Sequence, residues 1–187
     1  MLQSERQQAL KQVNSFLASK KCETLFSEII SLVTMEPQYQ HEASRQAIIE
    51  LAKKRIFKRY QKVCALGSNI KHDTPDDDVH ELRIECKKLR YLMEFFSELF
   101  AKKPIIALIK AVKELQTILG NFNDHSVQKD FISQYSAKTK SSNLIAAASG
   151  FIAVLHQKQL EEKSRVVGAF ENFSQQKVAG EFKRLFT

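Results

Sequence analysis

Residues 79–100 read VHELRIECKKLRYLMEFFSELF, and the spacing within this stretch predicts a helix. His80, Arg83, Lys87 and Arg90 recur at i, i+3, i+7 and i+10. At about 100° per residue they fall in one arc roughly 80° wide. Leu82, Leu89, Met93 and Phe96 lie on one side of the arc, and Ile84, Tyr91 and Phe95 on the other. The cations therefore read as set into a packed surface. A helix that needed only solubility would spread its charges and alternate their signs, whereas this one concentrates positive charge on a strip that can face an anion.

The rest of the sequence carries the same helical signal. Only five glycines, three prolines and no tryptophan occur in 187 residues, while Leu, Ala, Lys, Glu, Gln and Phe at helical spacing dominate. This predicts an all-α antiparallel bundle of long amphipathic helices, organised as a single domain over residues 1–187. A first hairpin runs from about Ser4 to Ala18 and from Cys22 to Val33, and Pro37 breaks it. A basic helix follows from about Glu42 to Leu66, then the loop GSNIKHDTPDDD, whose last acids suit a helix N-terminus. Pro104 suits the first turn of a helix running to about Gly120. Asn123 and Asp124 are expected to bond backbone groups at a kink there, with Gly120 as C-cap or close contact, before a helix to Tyr135. The last helices cover about Asn143 to Phe173 and VAGEFKRLF.

A formal charge of +8 and a pI near 9.4 favour a polyanionic partner: nucleic acid, an anionic membrane surface or inorganic phosphate polymer. The N-terminus has no hydrophobic signal core, and the mostly apolar run Leu144 to Leu155 is too short to span a bilayer. A soluble, cytoplasmic protein with no membrane insertion is expected. Cys22, Cys64 and Cys86 show neither a disulfide framework nor zinc-ligand pairing and read as reduced packing residues.

The basic helix repeats the pattern of the opening one. Arg55, Lys58, Arg59 and Lys62 share one arc, so two neighbouring helices each offer a row of cations. Packed with both rows on the same side, they would line one groove suited to an extended anion. A solvated face is the commoner fate of a lysine-rich helix, but the presence of arginine and histidine and the scarcity of acids on these arcs argue against it. Lys110 and Lys113 are secondary candidates. Lys158, Lys163 and Arg165, beside Glu161 and Glu162, read as a solvated face.

His80 to Tyr91, followed by Leu115 to Asp124 in KELQTILGNFND, resembles the signature of the CHAD domain, the conserved histidine α-helical domain, and in particular its second repeat. The resemblance is strong over about 41–124 and looser elsewhere. It implies a non-enzymatic module that binds inorganic polyphosphate through a basic, histidine-containing surface, with no cofactor, metal or catalytic residue. The residues carried over are His80, Arg83, Lys87, Arg90, Arg55, Lys58, Arg59 and Lys113. Arginine can fork across two phosphate oxygens, lysine acts as a mobile point charge, and a polyanion favours protonated His80. The resemblance also implies association with cytoplasmic polyphosphate granules. Family members carry two repeats facing a shared cleft. One is visible here, since His41-Glu-Ala-Ser-Arg45 lacks the rest of the signature, so the chain resembles the C-terminal half of such a domain and a homodimer would complete the cleft.

Two rival functions come from other classes. His41, His72-Asp73 and Asp124 follow the order of an HD-type metal-dependent phosphohydrolase, but His72-Asp73 falls in a turn-rich loop rather than on packed helices. An RNA- or DNA-binding helical protein shares the charge, yet no aromatic residues interleave with the cations for stacking.

Overall fold

A computed structural model describes residues 2–35 and 47–187, and the described residues form seven α-helices and no strand. The all-α helical bundle expected from the periodicity is what the chain adopts. The chain divides into two compact units, Met1–Arg45 and Gln46–Thr187.

The first unit is a hairpin of α1 (Leu2–Leu17) and α2 (Lys20–Thr34), close to its expected bounds. Ser19 sits between them as the N-cap of α2, its Oγ accepting from the Cys22 N–H at 3.2 Å, which satisfies one of the orphan donors of the first turn. Pro37, His41, Arg45 and the expected start of the basic helix near Glu42 lie outside the described residues.

The second unit is built from α3 (Ile48–Gly67), α4 (Asp76–Phe95), α5 (Lys102–Ser136), α6 (Ser142–Phe173) and α7 (Gln176–Phe186). In this unit α4 packs between α3 and α5, and α6 lies along α5. Asp76, Asp77 and Asp78 occupy the first turn of α4, where carboxylates complement the helix dipole. Asp76 also accepts from buried Lys163 (3.0 Å) and from Gln159 (2.8 Å) on α6. Lys163, expected on a solvated face, is thus buried and paired, because it faces the N-terminus of α4. A single 3-10 turn, Ser97–Leu99, closes α4.

The core joins Ile56 and Val63 of α3, Leu82, Leu89 and Met93 of α4, and Leu108, Leu115 and Leu119 of α5. At one end α7 seals it with aromatic rings. Phe182 stacks on Tyr60 at 3.9 Å between centroids and meets Phe173 and Phe186 at 6.0 and 5.7 Å. Gly67 lets this end close, since a Cβ there would overlap the Phe170 ring.

The expected break near Gly120 does not occur: α5 runs unbroken from Lys102 to Ser136. One helical glycine costs only about 1 kcal/mol, while Leu115, Leu119 and Phe122, all buried, carry the apolar face straight across it. Packing of that face outweighs the local cost. Gly120 is not a close contact either, since a Cβ there would meet open space.

The cysteines behave as packing residues: all three are free, with Cys22 and Cys86 buried. Burial pushes the Cys86 thiol up to about 12 and raises Cys64 as well, so neither is a ready nucleophile.

Candidate polyanion-binding surface

On α4 the residues sort by angle. Leu82, Cys86, Leu89 and Met93 face the core and are fully buried. The arc of His80, Arg83, Lys87 and Arg90 turns toward α5, and Glu81, Glu85, Lys88 and Leu92 turn toward α3. The outward ridge between them is Ile84, Tyr91 and Phe95. Tyr91 and Phe95 are 51% and 79% exposed, so only one side of the arc is packed, and the expectation of apolar packing on both sides is not met. The reason is that α3 and α5 flank α4 and leave this ridge uncovered.

Arg83, Lys87 and Arg90 meet Lys113, Gln116, Thr117 and Gly120 of α5 around a depression of about 350 Å³. No acidic side chain lines it. Among the described residues, Arg83 and Lys87 have no acidic partner. Glu94 stands at one end, 2.9 Å from Lys113 Nζ and 3.8 Å from Arg90 Nε. Arg90 Nε and Gln116 Oε1 are buried without a hydrogen bond, an arrangement that a polar ligand can relieve. The bare backbone of Gly120 leaves the floor of the depression open.

His80 lies farther along the same arc, exposed, with Nδ1 3.0 Å from Asn123 Oδ1. With the amide carbonyl as acceptor, Nδ1–H donates and Nε2 is left facing outward. Asn123 was expected to bond backbone groups at a kink. In a continuous helix no such groups are exposed, and its side chain orients the histidine instead. The signal was available in the sequence, because His80 and Asn123 belong to the same motif pair, but no local spacing connects residues 43 apart.

The α3 row forms a separate depression of about 270 Å³ lined by Arg55, Lys58, Arg59, Lys62 and Leu92. The two rows therefore line two flanks of α4 rather than one groove. The buried Glu85 holds two of these cations. Arg59 donates to its Oε2, and Lys62 and Lys88 reach its Oε1 at 3.3 and 3.0 Å. Lys62 also pairs with Glu81 at 3.1 Å. Arg55 and Lys58, by contrast, have no acidic partner among the described residues. Lys110 pairs loosely with Glu114 at 3.9 Å.

Burial alone would raise the Glu85 carboxyl, but the bonds from Lys88, Arg59 and Lys62 outweigh it and hold the pKa at about 2. A folded pKa below the unfolded value stabilises the protein above the ordinary carboxylate range, and that contribution is lost as pH falls through about 2. The full displacement corresponds to about 3 kcal/mol. Denaturant unfolding at pH 6 and near pH 2 is expected to show a stability loss that is smaller in Glu85→Gln by about this amount. An identical loss in both proteins would remove Glu85 from the acid response.

Other sequence candidates are placed elsewhere. Among the described residues, no three His, Cys, Asp or Glu side chains come together as metal ligands. His72 Nδ1 is 3.2 Å from Ser164 Oγ, and His41 lies outside the described residues. No described helix is long and apolar enough to cross a membrane.

Comparison with curated proteins finds no match. The family model of the CHAD domain matches residues 1–133, more than half of the chain, and includes all of the His80 to Asp124 signature while leaving α6 and α7 outside. With that match added to the signature and the helical fold, the chain belongs to the CHAD domain family.

Proposed function

We propose that this protein binds inorganic polyphosphate, as a non-enzymatic module, through the depression between α4 and α5. The observation that carries the reading is the convergence of Arg83, Lys87, Arg90 and Lys113 on one cavity lined by no acid. Polyphosphate is a flexible chain of closely spaced negative charges, so affinity comes from many cation contacts that release counterions, and no base needs to be read. Arg83 and Arg90 set geometry by forking across phosphate oxygens, and Lys87 and Lys113 add attraction. His80 Nε2 donates to a further phosphate oxygen when the ring is protonated. Arg55 and Lys58 extend the surface across the ridge of α4. Arg59 is first a partner of Glu85 and only secondarily a ligand.

Membership in the CHAD family supports polyphosphate over other anions, and it is in keeping with an association with polyphosphate granules in a cytoplasm. The chain corresponds to the second of the family's two repeats, and a second copy would supply the opposite wall of the cleft. The test is competition between polyphosphate and single-stranded RNA of equal charge, titrated against salt. Polyphosphate is expected to bind more tightly at every salt concentration. Equal affinities would overturn the specific reading in favour of a general nucleic-acid binder.

A further inference from the structure

The hairpin of α1 and α2 cannot account for its own folding. Its two helices have 16 and 15 residues, a length at which isolated helices are marginal in water. Cys22 is the one apolar side chain of residues 2–35 that is buried among those described. Leu10, Val13 and Leu17 recur at i, i+3 and i+7 along α1, and Phe26, Ile30 and Val33 at i, i+4 and i+7 along α2. All six are more than half exposed, with Val33 reaching 77%. Phe16, Leu25, Ile29 and Leu32 are exposed as well, so the hairpin leaves these ten large apolar side chains bare, where a monomer usually exposes apolar patches of only a few hundred Å² and a stable interface buries roughly 800 Å² per partner.

We infer that this face is a dimerisation surface, covered by the same hairpin of a second copy to form an intermolecular four-helix bundle. Charge favours that occupant. Residues 2–35 contain four basic and three acidic side chains, so nearly all of the chain's +8 lies outside the hairpin. Two hairpins can meet without the repulsion that the basic helices would impose. The face is apolar and close to neutral, which suits self-association through a two-fold axis rather than a strongly charged partner.

A second copy is also invoked for the anion cleft, but this inference rests on the exposed hairpin face and not on the cleft, and its test contains no polyanion. Sedimentation equilibrium of the full chain at micromolar concentration is expected to give twice the 21.5 kDa chain mass. Ile30→Glu with Val33→Glu buries two charges in the interface and is expected to weaken association on the order of 100-fold or more. Ser27→Glu with Ser31→Glu, the same charge change off the apolar face, is expected to leave the mass unchanged. A photo-crosslinking residue at Phe26, in a mixture of isotopically light and heavy chains, is expected to give light–heavy hybrids. A monomeric mass, a dimer that survives the Ile30 and Val33 changes, or crosslinks confined to single chains would each overturn the inference.

Discussion

Arg83→Ala combined with Arg90→Ala is expected to weaken polyphosphate binding by on the order of 100-fold, since each arginine removes a charge-assisted contact worth about 1.5 kcal/mol or more. The two side chains sit on opposite sides of Lys87 along the depression, so their loss removes the geometry of the site and leaves two lysines as point charges. The same variant is expected to flatten the slope of log affinity against log salt by between one and two, as two fewer phosphates are neutralised. His80→Ala, at the far end of the arc and exposed, should cost only a few-fold. The measurement is a fluorescence or calorimetric titration at several salt concentrations. Unchanged affinity and slope in the double variant would mean that this depression is not the site.

Phe182→Ala is expected to destabilise the second unit by about 3–5 kcal/mol. Phe182 is fully buried and stacks nearly parallel on Tyr60, with Phe173 and Phe186 against its other edges. Removing the ring leaves a cavity that α7, only 11 residues long, cannot fill by itself, and it frees the helix that closes the end of the bundle. Urea unfolding should show a lower midpoint with an unchanged slope. Polyphosphate affinity of the still-folded fraction should stay the same, because α7 contributes nothing to the depression. A midpoint within 1 °C or 0.2 M of the parent would contradict the packing role assigned to the ring, given an expected shift of several times that size.

Much of this architecture is legible in the sequence because helices announce themselves by period. The bounds of α1, α2, α6 and α7 and the start of α4 follow from apolar spacing and from Ser, Asp and Pro at their starts, whereas α4 stops at Phe95, short of the expected Phe100, where the turn Ser97–Leu99 takes over. The α4 arc follows from geometry alone. What escapes is whatever depends on residues far apart in the chain. Gly120 reads as a stop because local cost is visible and the packing of Leu119 and Phe122 on neighbouring helices is not. Arg59 and Lys62 read as free cations because Glu85, 26 and 23 residues away, is only one of several acids on another helix until α3 and α4 are placed side by side. Lys163 reads as solvated for the same reason: its partner Asp76 is 87 residues distant. Tyr91 and Phe95 look like core by type, and only the arrangement of α3 and α5 on either flank leaves them outside.

The α4 arc has a fixed length as well as a fixed charge. His80 and Arg90 are ten residues apart on an uninterrupted helix, so the contact points are spread over about 15 Å and cannot draw together around a small ion. A rigid row of this kind acts as a measuring edge. An anion shorter than the row can touch one end or the other but never both. One that spans it gains every contact for a single loss of translational freedom, and one that is longer gains only additional places to start.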